Sequence, residues 1–223
     1  WRHEHIREES REWEYRDSSG YSVPHTGEAL HVIYNLKSNN TVNSSHTELY
    51  LQDTYRTESK AGILSINYGA RLSHWTWNGE WLFSPRACLG YVPAANDAFT
   101  FRLATGLYYQ RPFYKELRDT VTTDGNTVVQ LNKDIKSQRS FQILTAMEYK
   151  FKLADRPFKF STELYYKAQS RLNPYNVDNV KIVYYGNNCA SGYVIGADFK
   201  LYGEFVPGTD SWISFGLMKA QMR

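Results

Sequence analysis

The stretch Gly62-Ile-Leu-Ser-Ile-Asn-Tyr-Gly-Ala-Arg-Leu-Ser-His74 decides the architecture. Leu64, Ile66, Tyr68, Ala70 and Leu72 are apolar, while Ser65, Asn67, Gly69, Arg71 and Ser73 between them are small or polar. A period of two sends successive side chains to opposite faces of a strand, so this segment has one greasy and one wet face. The same alternation returns over Phe99–Tyr109, Phe141–Phe151, Phe158–Tyr166, Tyr193–Leu201 and Ile213–Leu217. It is looser over Trp81–Tyr91 and Thr47–Arg56, and Arg11–Arg16 reads as a strand running back toward Arg2.

The connections between these segments fall into two kinds. Glu58–Gly62, Pro93–Asp97, Leu153–Pro157 and Pro207–Asp210 are short and dense in turn residues. They alternate with Ser18–Asn43, Trp77–Glu80, Arg111–Arg139 and Arg171–Ala190, which are mostly long and polar. In an up-and-down antiparallel sheet alternate connections lie at opposite ends, so one end has tight turns and the other has loops. Outer-membrane barrels have that asymmetry. Several strands also reach the roughly 9–11 residues that cross a bilayer obliquely. Trp75, Trp77 and Trp81 toward one end, and Phe99, Phe151, Phe158, Phe205 and Trp212 toward the other, suggest two aromatic girdles. A soluble β-sandwich is the rival, since its inward faces alternate too.

Composition narrows the choice. In 223 residues there are 35 aromatic side chains counting 6 Trp, 18 Tyr and 11 Phe, a net charge of +3 and 22% charged residues, which excludes a disordered polar chain. The charge forms no basic stripe, so nucleic acid is not expected as a partner. Two distant cysteines, Cys88 and Cys189, make neither a disulfide framework nor a zinc motif. No apolar run reaches the length of a membrane helix. A mean hydropathy of −0.57 fits a soluble domain and a barrel equally well, because alternation cancels in the average.

Several strings, in order, resemble the barrel of TonB-dependent outer-membrane receptors: Thr47-Glu-Leu-Tyr-Leu-Gln-Asp-Thr-Tyr55 followed by Gly69-Ala-Arg71, then Phe83-Ser-Pro-Arg-Ala87, then Gly106-Leu-Tyr-Tyr-Gln-Arg-Pro-Phe-Tyr-Lys-Glu-Leu117, and finally Tyr185–Asp198. Arg156-Pro-Phe-Lys-Phe160, Glu163-Leu-Tyr-Tyr166 and Gly203–Trp212 look most like receptors of the Bacteroidetes type. The resemblance implies an all-β fold, an antiparallel up-and-down transmembrane barrel of 22 strands. About ten strands fit in residues 1–223, so the chain is expected to be a partial barrel domain without the plug. It further implies transport: capture of a scarce nutrient, whether small molecule, glycan or peptide, and import driven by the TonB complex through a plug. Outer-membrane lipid surrounds the wall, and a lid lipoprotein is a further partner the resemblance allows.

The residues themselves suggest where such chemistry sits. Arg71, Arg86, Arg102, Glu148, Glu163 and Asp198, with Lys150, Lys167, Lys200 and Glu204, occupy the wet parity and are expected to face a lumen, where charge is tolerated. A solvated, mutually paired wall explains them as well. Arg111, Phe113, Tyr114 and Lys115, in a segment with an Asp124-Gly125-Asn126 turn, suggest a hairpin rising above the sheet, where rings and cations suit an anionic or sugar-like ligand; a packed structural hairpin explains them equally well. Tyr175, Tyr184 and Tyr185 form a second mouth element. Asn176, Asp178 and Asn179 read as Asx turns before they read as a Ca²⁺ site. His3 and His5 share a strand face but have no third ligand, so neither a metal nor a cofactor is expected. No nucleophile or metalloprotease motif is present. A ten-stranded outer-membrane protease would have only His74 and Asp119 to offer, and no enzymatic role is expected. The rival from another class is a surface adhesion or binding domain without transport.

Overall fold

A computed structural model describes residues 1–15, 32–123, 126–178 and 181–223. The elements are β1 Arg2–Tyr15, β2 Val32–Ser59, β3 Gly62–Trp75, β4 Glu80–Pro93, β5 Phe99–Gln110 and the one-turn helix α1 Tyr114–Leu117. They continue with β6 Arg118–Thr123, β7 Asn126–Leu131, β8 Gln138–Leu153, β9 Arg156–Leu172, β10 Tyr175–Asp178, β11 Lys181–Tyr184, β12 Ala190–Val206 and β13 Thr209–Met222.

The main sheet runs β13-β12-β9-β8-β5-β4-β3-β2-β7-β6, with β1 attached to β2, and it curls into a half-barrel. Neighbours are antiparallel except for the short β2–β7 contact through Leu36 and Lys37. The tight turns fall where the sequence predicts them, between Ser59 and Gly62, Pro93 and Phe99, Leu153 and Arg156, and Val206 and Thr209. At Leu153–Arg156 the two turn residues, Ala154 and Asp155, take positive φ (50° and 58°), as a two-residue hairpin requires.

Register fixes the two faces. Leu72 lies between Leu49 and Phe83, Leu89 reaches Leu103, Leu103 faces Thr145, Thr145 faces Leu164, and Leu164 pairs with Ala197, which meets Leu217. These residues, apolar except for Thr145, form one continuous face. Along β8 the alternate residues Phe141, Ile143 and Thr145 are exposed, whereas Ser140, Gln142 and Leu144 are half-buried. On a curled sheet the convex side splays its side chains and the concave side crowds them, so the apolar face is the convex one.

Three differences from the sequence reading stand out. First, the segment read as loop up to Asn43 is strand from Val32 onward, and β2 is 28 residues long. Its upper half, paired with β1 from Arg2↔His46 to Tyr15↔Val32, has no apolar convex side, which hides the strand from a search for greasy alternation. Second, of the tryptophans assigned to the outer girdles, only Trp81 is convex and exposed. Trp75 points to the concave side and is 3% exposed, Trp77 donates its indole N–H to the Asn132 carbonyl at 3.2 Å, and Trp212 pairs with Tyr202 on the concave face. Third, of the two readings of the hairpin after Arg111 the packed one holds: β6–β7 joins the main sheet beside β2, and residues 124 and 125 of its turn lie outside the described residues.

At the tight-turn end the convex face carries two runs of aromatic contacts. Phe101, Phe99, Tyr149, Phe151, Phe158 and Phe205 follow one another at centroid separations of 4.5–6.1 Å, and Phe160, Phe199 and Phe215 stack at 6.5 Å. Gly203 makes room for this belt, because a Cβ there would stand 2.4 Å from the Phe158 ring. A buried apolar cluster occurs instead at the opposite end, where Val42, Trp75, Leu117 and Ile135 meet above the concave face.

Candidate functional site

The mouth is built where β5 stops. Pro112 offers no ladder N–H, and the chain turns from Gln110 into α1. The Phe113 N–H donates to Glu116 Oε2 at 3.0 Å, and Gln138 Nε2 donates to Glu116 Oε1 at 2.9 Å. Glu116 is 2% exposed, and burial pushes its carboxyl above the ordinary range despite the hydrogen bonds that oppose the shift. Leu117, on the same turn, enters the Val42–Trp75–Ile135 cluster.

Of the residues expected to bind ligand, the structure brings three together. The Phe113 ring stands edge-on to Tyr184 at 5.5 Å, and Tyr184 meets Tyr175 at 5.8 Å across the β10–β11 pair. Burial, together with Glu116 and Tyr175, raises the Tyr184 phenol above its ordinary value. Arg111 lies apart from this trio, with its guanidinium 5.7 Å from the Trp75 ring. It lines a cleft of about 510 Å³ with Phe113, Tyr114, His5 and Ile6. Tyr114 is engaged, since its hydroxyl donates to Glu8. Lys115 and Tyr185 stand exposed at the rim.

Glu8 is a joint that sequence reasoning missed. It accepts hydrogen bonds from Ser38, Ser10 and Tyr114, and Arg118 lies 3.6 Å away. Burial raises its carboxyl, but the donors and the Arg118 charge outweigh burial and hold it below the ordinary value. The same contact, with burial, pushes the Tyr114 phenol up to about 12. Glu4, Glu8 and Glu12 share the even parity of β1, a clue to an inward face.

A strap over residues 132–137 completes the rim. Asn78 donates to the Ile135 carbonyl at 2.9 Å, Glu80 accepts from the Ser137 N–H at 2.9 Å, and Asn188 bonds both Lys136 and Arg171. These side chains replace a ladder, tying the β3–β4 turn, the strap and the segment before β12 into one piece.

Below the mouth, Arg71, Arg86, Arg102, Glu148, Glu163 and Asp198 all lie on the concave face by register. Arg71 meets Glu48 at 3.5 Å, Arg102 meets Glu148 at 2.8 Å, and Arg86 lies over the Tyr108 ring at 5.7 Å. Glu163 and Asp198 stand directly opposite one another and line a recess of about 430 Å³ with Arg102 and Lys200. His74 is turned away from this face and stacks on Trp81 at 4.4 Å, while His3 contacts Ser45 at 3.1 Å.

A curled antiparallel wall, apolar on its convex side, charged on its concave side and capped at one end by folded loops, defines the class as a piece of a barrel wall. The chain belongs to the TonB-dependent receptor-like β-barrel family, whose model matches residues 3–217. Its fold is similar to that of the outer membrane transporter YddB from Escherichia coli, with a TM-score of 0.61 and 15% sequence identity. That likeness covers 88% of this chain and 27% of the transporter's, so the chain spans about a quarter of that protein's length. No curated protein matches the sequence.

Proposed function

We propose that the chain is part of the wall and mouth of an outer-membrane importer of the 22-stranded, Bacteroidetes type, with its convex face in lipid and its concave face lining a lumen. The observation that carries this reading is the apolar convex face, continuous from Leu49 across eight strands to Leu217, against a charged concave one. Lipid makes apolar groups cheap on the outside, while a wet interior accommodates Arg102, Glu148, Glu163 and Asp198. Residues 47–59 of β2, on the side that β1 leaves uncovered, and the outer side of β13 have no strand partner among the described residues. Lipid does not tolerate such edges, so further strands of the same protein pair with them and close the barrel.

In this reading the Phe113–Tyr175–Tyr184 trio and the rim cations Arg111 and Lys115 receive a scarce nutrient: a small molecule, a glycan or a peptide. A plug elsewhere in the protein couples release to the TonB complex, and a lid lipoprotein covers the mouth. The wall is tested in the full-length protein, freed of Cys88 and Cys189 and reconstituted in vesicles. Single spin labels along residues 141–147 are expected to alternate with period two between access to dissolved oxygen and access to a water-soluble nickel reagent. Equal access at both parities overturns the reading.

A further inference from the structure

The concave face carries an unneutralised basic patch at its tight-turn end. Lys150 stands directly opposite Lys159, Lys159 opposite Tyr202, and Tyr202 opposite Trp212, all on the concave parity. Lys200 is the diagonal neighbour of Lys159, and Lys152 follows Lys150 toward the turn on the same face. Like charges directly opposite one another across a strand pair repel, a cost that an anion between them removes. No ion pair to Lys150, Lys152, Lys159 or Lys200 occurs among the described residues. The acids nearby are placed otherwise: Glu148 is held by Arg102 at 2.8 Å, Asp198 stands opposite Glu163, and Glu204 lies beyond Tyr202, beside the Gly208 N–H.

Two rings sit among these cations. The Lys159 and Lys200 ammonium groups lie 6.0 and 5.9 Å from the centre of the Tyr202 ring, and Lys200 lies 5.5 Å from that of Trp212. Trp212 is on the concave face yet 62% exposed, an apolar area that no lipid-facing girdle explains. The pairing recurs toward the mouth, where Lys167 lies over the Tyr165 ring at 5.3 Å and Arg86 over Tyr108 at 5.7 Å. Both of these rings lean over glycine, since a Cβ on Gly196 would stand 2.4 Å from Tyr165 and one on Gly106 2.9 Å from Tyr108. The patch is thus the lower end of a line of cations over rings that begins beneath the mouth.

One lysine neutralises a carboxylate; opposed lysines with a third on the diagonal call for more charge in one place. The Cβ atoms of a directly opposed pair are about 5 Å apart, so both ammonium groups reach a single anionic group. A phosphate monoester is such a group, with a charge of about −1.5 to −2 at neutral pH and three acceptor oxygens. We infer that Lys150, Lys159 and Lys200, with Tyr202 and Trp212, form a binding station near the tight-turn end of the lumen for a solute that joins a phosphate monoester to a flat ring, a sugar or a nucleobase. The lysines hold the phosphate, and the rings stack on the flat part. The inference rests on the proposed lumen and deepens it by naming what the substrate carries.

The test uses full-length protein in detergent, titrated with a hexose phosphate, a nucleoside monophosphate, the same sugar and nucleoside without phosphate, and inorganic phosphate. Wild type is expected to bind at least one of the two esters roughly tenfold more tightly than its unphosphorylated counterpart, and the preferred ester identifies the ring. The triple variant K150Q/K159Q/K200Q is expected to bind that ester on the order of tenfold to a hundredfold more weakly at low salt, with a smaller gap at high salt. K150R/K159R/K200R, which keeps the charge, is expected to stay within about threefold of wild type. Trp212→Ala is expected to weaken the ester roughly fivefold to tenfold and to leave inorganic phosphate unchanged, a split that misfolding does not produce. Binding of neither ester by wild type overturns the inference. So does an equal loss for the unphosphorylated counterpart. If an acidic surface of the plug neutralises the lysines instead, the glutamine variant binds the ester as wild type does and exposes the plug to protease, which overturns it too. A spin label at Ser161, beside Lys200 on the concave face, separates the two levels in vesicles of the cysteine-free protein. If the label meets the nickel reagent and the glutamine variant is silent, only the station falls; if it meets oxygen alone, the lumen falls with it.

Discussion

The two halves of β2 make the most informative contrast in the molecule. Between Thr47 and Ser59 the strand is apolar outward at Leu49, Leu51 and Tyr55 and polar inward at Glu48, Gln52 and Arg56. Between Leu36 and Ser45 the order reverses: Lys37, Asn39, Thr41 and Asn43 face out, and Leu36, Val42 and Ser44 are buried inward. One uninterrupted strand therefore records a change of solvent at about His46. Below it the outside is apolar and the inside wet; above it the outside is wet and the inside is packed beneath folded loops.

The sharpest way to break this contrast is to truncate one tryptophan from each regime. Trp75→Ala is expected to cost about 3–5 kcal/mol of mouth stability, read as faster hydrogen exchange in α1 and the strap of the full-length protein. Trp81→Ala, six residues away and outward, is expected to stay within about 0.5 kcal/mol in detergent. Comparable losses at the two positions would erase the distinction.

Introducing one charge into each half sharpens the contrast. Leu103→Arg, on the convex wall, is expected to cost roughly 2–4 kcal/mol in a folding titration into vesicles, while Thr41→Arg on the β1–β2 pair is expected to cost nothing beyond about 0.5 kcal/mol.

Acidity probes the packed half alone. The folded pKa of Glu8 lies below its ordinary value of 4.5, so its stabilisation is complete above about that pH and is lost as pH falls through the folded value. Its charge-assisted bonds to Ser38 and Tyr114 are worth about 1.5–3 kcal/mol, and exchange of β6 amides is expected to rise by the corresponding factor in acid. Glu8→Gln abolishes that rise. Glu116 acts with the opposite sign, because its raised folded pKa makes protonation favour the folded mouth; in Glu8→Gln, acid is therefore expected to protect α1 rather than expose it.

A small effect also belongs to the wet half of the wall. The Arg102–Glu148 pair is nearly half exposed on the arginine side, and Arg102→Met is expected to change the unfolding free energy, read from a denaturant titration, by no more than about 1 kcal/mol.

The wall was legible in the sequence because its two faces carry opposite polarity on alternate residues, and Leu64–Leu72 or Phe141–Phe151 display that directly. The upper half of β2 was not legible: water outside and a loop-covered inside leave Lys37-Ser-Asn-Asn-Thr41 polar on both parities. At the mouth, the rings of Phe113, Tyr175 and Tyr184 were legible as residue types, and the structure supplied their mutual contact. The Glu8–Tyr114 bond joins residues 106 positions apart and depends on the β1–β2 register, which no local pattern encodes. Trp75 misled for a related reason, since an aromatic at a strand end looks the same whether it faces a membrane interface or a loop.

The length of β2 has a mechanical consequence. Its 28 residues extend roughly 90 Å, and the only bulge in its pairing with β1 lies at the far tip, between Glu14 and Tyr15. At His46 the ladders change over, the β1 pairing ending at Arg2↔His46 and the β3 pairing starting at His46↔Trp75, so β2 itself carries a tug on the tip down into the wall. α1 and the 132–137 strap, held mostly by side chains and by the Asn132 N–H to the Leu117 carbonyl, can let go one bond at a time while that strand stays in place.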